Sequence, residues 1–185
     1  MIEYRPNFYV LTGASGSGKS TLIAALQARG YQCVEELGRQ IVREQLDSGG
    51  DGTPWQDQAK FLTLLIARSI AAFKGVTERS RPVFFDRSIA ECTAHIALLD
   101  ATTSAQCLEA AATFRYNSVV FVSPPWPEIY VVDAERRHSF DEGVASHQAE
   151  LAAYVQCGYR LLEVPKAAVN VRTDFMLARV DEEDT

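Results

Sequence analysis

A chain of 185 residues, 47% hydrophobic and 23% charged, has the balance of a globular domain able to bury a substantial core. Its net charge of −6, 18 basic against 24 acidic residues, and the lack of any basic run argue against a nucleic-acid partner. No run of about 18 apolar residues occurs, so no transmembrane helix and no membrane partner are expected.

The start "MIEYRPNFYVLTG" has neither a basic opening nor a cleavable small-residue site, so no secretory signal is expected. Cys33, Cys92, Cys107 and Cys157 are far apart and form no Cys-x-x-Cys pair. They are read as reduced core thiols, which predicts a cytoplasmic protein. The acidic end "VDEEDT" is expected to be a frayed, solvated terminus.

"NFYVLTG" is a short apolar run ending in glycine, which predicts a buried strand. "KSTLIAALQARG" follows with apolar residues at helical spacing and stops at Gly30. "YQCVEE" is a second strand, and "GRQIVREQLDSGGDG" a helix closed by a glycine-rich loop. "PWQDQAKFLTLLIARSIAAFKGVTERS" opens on proline and keeps an apolar helical face for several turns. "RPVFFDRS" is a third strand; "IAECTAHIALLD" and "SAQCLEAAATFRY" are two helices. "SVVFVS" is a fourth strand, followed by the proline-rich loop "PPWPEIY". "DEGVASHQAELAAYVQCG" is a helix, "YRLLEVP" a fifth strand and "AAVNVRTDFMLARV" a last helix.

Strands alternate with helices throughout, which calls for a parallel sheet with helices on both faces and right-handed crossovers. The strands are apolar runs rather than alternations, as expected when both faces are covered. No repeat, low-complexity segment or linker occurs, so one domain is placed over residues 1–185.

Gly13-Ala14-Ser15-Gly16-Ser17-Gly18-Lys19-Ser20, with Thr21 next, matches the phosphate-loop pattern G-x-x-x-x-G-K-[ST] between a strand and a helix. Glycines let the backbone curl so that its N–H groups point at phosphate oxygens. The helix that follows turns its positive end toward the same anion. Lys19 is placed on the terminal phosphates and Ser20 on magnesium, so ATP and Mg2+ are the expected ligands. A flexible glycine-serine turn would read similarly only outside this strand–helix context.

Asp86 ends the third strand, on the rim where ligands of open parallel sheets sit. An acid there holds magnesium, directly or through water; otherwise it caps the helix near Ser88. Arg87 follows and could meet a substrate phosphate or hydroxyl. Glu35 and Glu36 end the second strand, and alternation lets only one of them face the cleft easily. Such a carboxylate could take the proton of an attacking hydroxyl, or could simply favour the helix start. Arg39 lies one helical step on and is a candidate for binding substrate. In "YVVDAERRHSFDEG", Arg136 and Arg137 could line a mobile lid, approximately residues 124–145, or form a solvated helix face. His95, His138 and His147 show no metal-ligand spacing. Trp55 and Trp126 beside prolines are read as loop anchors, though Trp55 could border a substrate pocket.

The set "GASGSGKST", "VEELGR", "FFDRS" and "DAERR" resembles the small-molecule kinase branch of phosphate-loop proteins. In the thymidylate and deoxynucleoside kinases an acid ends strand two, an acid–arginine pair ends strand three, and arginines line a lid. "GGDGTPWQDQ", "FRYNSVVFVSPPWPEIYVVDAERR" and "VPKAAVNVRTDFML" more specifically resemble a bacterial family called predicted ATPases, or AAA-domain proteins. That family is itself similar to the nicotinamide riboside kinase domain of a bacterial NAD regulator. The resemblance implies a three-layer α/β fold with a five-stranded parallel sheet, an arginine-bearing lid and ATP binding. It matches the strand-two acid to Glu36 rather than Glu35. A true AAA+ motor needs more length, a helical lid domain and a second acid after Asp86, where Arg87 stands. The Asn-Lys-x-Asp of regulatory GTPases and the Leu-Ser-Gly-Gly-Gln of ABC ATPases are both absent.

The expectation is therefore a Mg-ATP-dependent kinase of a small metabolite such as a nucleoside or nucleotide. Lys19 and the loop hold phosphates, and Ser20 and Asp86 hold magnesium. Glu36 orients or deprotonates the acceptor, and Arg39 and Arg87 bind it. Arg136 or Arg137 stabilises transferring charge, and "VPKAAVN" lines the adenine. The alternatives are a nucleotide-binding switch acting on a partner protein and a plain ATPase.

Overall fold

The computed structural model describes residues 1–129 and 140–183. Its centre is the strand β2 (Phe8–Gly13), whose six residues are all buried. Side chains alternate along it, so Phe8 and Val10 enter one core and Tyr9 and Leu11 the other. The first core packs Phe85, Phe73, Tyr116 and Tyr154 together, and the second packs Leu22, Leu26, Phe84, Phe121 and Met176. A strand buried on both faces has no polar side to display, which is why its sequence reads as an unbroken apolar run.

The other elements follow from the start of the chain. They are β1 (Glu3–Tyr4), α1 (Lys19–Ala28), β3 (Gln32–Val34), α2 (Leu37–Ser48), α3 (Gln58–Gly75), β4 (Val83–Asp86), the short α4 (Ile89–Cys92) and α5 (Ala101–Thr113). Then come β5 (Phe114–Arg115), β6 (Val119–Ser123), α6 (Phe140–Gln156), β7 (Arg160–Glu163) and α7 (Val169–Glu183). Five strands form a parallel sheet in the order β3-β4-β2-β6-β7. Helices α1 and α7 contribute to the core on one face; α3, α5 and α6 contribute to the core on the other. The five strands, their order of appearance and the layered α/β architecture agree with the sequence pattern.

Four local differences have physical causes. A two-stranded parallel ribbon pairs β1 with β5, and strands of two residues have no periodicity to read. The segment "IAECTAHIALLD" is not one helix. It is α4 followed by a 3-10 turn over Thr93–Leu98, and the Thr93 hydroxyl bonds back to the Ala90 carbonyl at 2.7 Å. Helix α3 starts at Gln58 rather than at Pro54. The amides of Gln56 and Asp57 both fold back to the Thr53 carbonyl, and Asp57 then caps the helix through the Lys60 amide. Helix α5 likewise starts before Ser104, because Asp100 accepts from the amides of Thr102 and Thr103. All four cysteines are free thiols, and burial pushes Cys92 and Cys107 above the usual thiol range.

Candidate active site

The carboxyl ends of β2, β4 and β6 meet at one rim, since Leu11 pairs with Asp86 and Gly13 with Ser123. The loop from Gly13 to Gly18 leaves β2 there and delivers Lys19 and Ser20 to the start of α1. Gly13 has φ +146°, and a Cβ on it would lie 2.2 Å from the Ser123 carbonyl oxygen. Only glycine lets the loop leave the sheet against β6. Lys19 is buried, and its ammonium donates to the carbonyls of Gly13 at 2.8 Å and Ala14 at 3.0 Å. Burial, and then the Arg87 charge, lower its pKa to about 8, against the pull of Asp86, Glu36 and Glu150. Ser20 and Thr21 are exposed at the open side of the loop.

Arg172 from α7 braces this loop from behind. Its Nη2 donates to the Ser17 carbonyl at 3.1 Å and to the Ser123 hydroxyl, which itself donates to the Ser17 carbonyl at 2.8 Å. The guanidinium also stacks 5.4 Å from the Trp126 ring centre. Trp126 therefore does anchor a loop, by holding this arginine.

Asp86 is buried at the tip of β4, and its Oδ1 has no hydrogen-bond partner. Burial is the main cause that raises its pKa, and Glu36 adds to it; Lys19 and Arg87 oppose. A buried, unpartnered carboxylate oxygen suits a hard cation such as Mg2+, which takes one or two protein oxygens plus phosphates. Among the described residues no cluster of three or more His, Cys, Asp or Glu could hold a metal by itself. Ser88, not Asp86, occupies the N-cap position of α4.

Arg87 stands in the left-handed region at φ +74°, which costs a non-glycine residue about 1–2 kcal/mol. That backbone turn aims its side chain back under the loop. Its Nη1 bonds Glu91 and lies 3.0 Å from Glu150, its Nε lies 3.4 Å from Glu36, and its Nη2 donates to the Gly13 carbonyl at 3.4 Å. Burial works against the Arg87 charge, and Glu150, Glu36 and Asp86 more than restore it.

Glu36 faces this arginine, and Arg39 Nε donates to its second oxygen at 2.9 Å. Burial raises the pKa of Glu36, and Arg87, Lys19 and Arg39 together outweigh that, so it stays ionised well below the usual carboxylate range. Glu35 points outward and accepts from Gln27 at 3.2 Å. The turn from β3 into α2, where Glu36 is the N-cap residue, thus points one acid of the pair inward.

Glu91, Glu150, Thr12 and Tyr154 complete the cluster and were not singled out from sequence. Thr12 and Tyr154 both donate to Glu91, at 2.8 and 2.9 Å, and Ser146 donates to Glu150 at 3.1 Å. His147 is buried nearby, its pKa lowered by burial and its Nδ1 without a partner. Arg136 and Arg137 lie outside the described residues.

Two cavities adjoin this cluster. One, of about 180 Å³, runs along the loop past Gly16, Gly18, Lys19, Ser20 and Thr21. The other, of about 410 Å³, lies between α2, α3 and the tip of β4, and its walls include Trp55, Phe61, Leu62, Leu65 and His95. Ser15, Glu36 and Arg39 line both. Trp55 therefore borders a cavity as well as a turn. "VPKAAVN" spans the end of β7 and the start of α7, where the Val164 amide still bonds the Val122 carbonyl at 2.8 Å.

The family whose sequence model matches residues 8–172 is described as "AAA domain". No curated protein sequence matches the chain. Among solved structures, the fold is similar to deoxyadenosine kinase from M. mycoides with products dCMP and dCDP bound. That match has TM-score 0.65 and 14% identity, covering 95% of this chain and 99% of the other. NadR in complex with NR matches at TM-score 0.67 and 18% identity over 95% of this chain, which spans about half (51%) of NadR. Thymidylate kinase from Ehrlichia chaffeensis matches at TM-score 0.58 and 18% identity, over 96% and 99% of the two chains. These likenesses place the chain in the phosphate-loop nucleotide and nucleoside kinase fold.

Proposed function

The chain belongs to the AAA-domain family of phosphate-loop proteins, and on that premise we propose that it is a Mg-ATP-dependent kinase of a small metabolite. The observation that carries this is the pair of cavities that meet at Glu36. A switch or a plain ATPase needs the loop cavity alone. A kinase needs a second compartment that delivers an acceptor to the end of the phosphate chain.

The ATP phosphates lie along Gly13–Thr21, with the loop amides and Lys19 as donors. Lys19 is preorganised, because ATP exchanges two neutral carbonyl partners for phosphate oxygens. Ser20 and Asp86 are the oxygen donors for Mg2+, which when bound offsets phosphate charge. The acceptor hydroxyl sits against Glu36. Its oxygen forms the new bond to the γ-phosphorus, the bond from that phosphorus to the β,γ-bridging oxygen breaks, and ADP leaves. Glu36 is held ionised, so it accepts the hydroxyl's hydrogen bond throughout and takes the proton late. Arg39 and Arg87 keep Glu36 in place. Arg136 and Arg137 are assigned the transferring charge.

The test is ADP release from Mg-ATP with nucleosides, nucleoside monophosphates, nicotinamide riboside and phospho-sugars as acceptors, in wild type and Glu36→Gln. At least one acceptor should raise turnover well above the water background. The variant should lose about 10²–10⁴ of that increment and keep its ATP affinity in calorimetry. If no acceptor raises turnover while ATP binds, the second cavity is not an acceptor site and the kinase assignment is wrong.

A further inference from the structure

We propose that the acceptor is a nucleoside-like compound, a flat ring bearing hydroxyls and no phosphate. This rests on the kinase assignment above and narrows it by charge.

The larger cavity has two kinds of wall. Trp55, Phe61, Leu62 and Leu65 supply an apolar side suited to the face of a ring. The charged lining is Glu36, Asp86, Glu91 and Glu150 against Arg39 and Arg87 among the described residues, with His95 as a further titratable group. Even with Asp86 given to a magnesium ion, three carboxylates face two guanidinium groups.

The two arginines are also engaged. Every nitrogen of Arg87 already has a protein oxygen within 3.4 Å: Glu36 at Nε, Glu91 and Glu150 at Nη1, and the Gly13 carbonyl at Nη2. Arg39 is paired with Glu36 at 2.9 Å. A phosphate monoester brings a charge of about −1.5 to −2. To be held it would have to displace a buried carboxylate from Arg87, and both Glu91 and Glu150 are tied down by further donors. Like charges set together in a buried site cost several kcal/mol. A hydroxyl-bearing neutral or cationic ring meets no such barrier, and its hydroxyls find the Glu36 carboxylate as an acceptor.

The experiment compares a nucleoside with its own 5′-monophosphate, across adenosine, guanosine, cytidine, thymidine and nicotinamide riboside, by ADP release at fixed Mg-ATP in the full chain. One nucleoside should be turned over with kcat/KM at least about tenfold above its monophosphate. Glu150→Gln removes one carboxylate from Arg87 and should narrow that ratio several-fold. Circular dichroism and Mg-ATP affinity check that the variant folds, and Glu91→Gln repeats the test from the other side of the same nitrogen. A monophosphate turned over better than its nucleoside would overturn the inference and leave the kinase assignment standing. ATP binding with no turnover of either would overturn both.

Discussion

Replacing Gly13 with alanine tests how the loop is built. The residue sits at φ +146°, and a Cβ there would lie 2.2 Å from the Ser123 oxygen and 2.9 Å from its Cβ. Both atoms belong to the neighbouring strand, which is fully buried at Ser123, so nothing flexible can swing aside. Backbone strain costs about 1–3 kcal/mol. Forcing β2 and β6 apart adds about 1–3 kcal/mol. The variant should therefore lose about 4 kcal/mol, or about 8–16 °C of Tm for a chain this size. Scanning calorimetry of the two proteins reads this directly. Mg-ATP at about 100 times Kd should stabilise wild type by about 2.7 kcal/mol and Gly13→Ala far less. Gly75→Ala is the control, since Gly75 ends α3 with nothing within 4 Å of an added Cβ, and it should hold or raise Tm. A fall in Tm under about 2 °C for Gly13→Ala, with ATP protection intact, would refute the close-approach argument.

Lys19→Met should abolish ATP turnover without lowering the Tm of the nucleotide-free protein. Burial already depresses the pKa of that ammonium to about 8, so its charge is a cost until phosphate arrives. Calorimetry and an ADP-release assay check the two halves. Asp86 is held up to about 6 by burial, so in the nucleotide-free protein it carries a proton that the unfolded chain lacks between its ordinary 3.8 and about 6. Its contribution to stability therefore grows as pH falls through that window, while magnesium must displace the proton. Mg-ATP affinity should weaken by about tenfold per pH unit below 6, measured by titration at pH 5 and 7.5, and Asp86→Asn should flatten that slope. Arg172→Leu leaves the Ser17 carbonyl without its charged donor, and should cost about 1.5–3 kcal/mol of stability in urea unfolding and weaken Mg-ATP binding.

The features written locally were the ones legible in sequence. The phosphate loop needs its glycines, lysine and serine in one short run, so strand, loop and helix announce one another. Asp86 and Glu36 were visible as acids at the tips of apolar strands. The carboxylates around Arg87 were not. Glu91 lies in "IAEC" and Glu150 in "HQAELAAY", and each reads as a helical residue among apolar neighbours. Sixty-three residues separate Arg87 from Glu150, and only the packing of α6 near α4 closes that gap. The four-residue spacing from Arg87 to Glu91 was a signal, since such pairs meet on a helix, but the left-handed turn at Arg87 makes the contact by another route. Arg172 was hidden for a similar reason. It sits in an amphipathic helix where an arginine ordinarily faces solvent, yet here it is 3% exposed.

The brace from Arg172 to Ser17 spans 155 residues of chain. During synthesis from the N-terminus, the phosphate-loop motif is complete at Thr21, yet its backbone lacks this support until α7 has been made. Until β6 is made no strand lies beside Gly13, and until α7 is made no guanidinium lies behind Ser17. Nucleotide capture is expected to wait for α7. A nascent chain stalled before α7 should leave ATP unclaimed even though it already displays every residue of the motif.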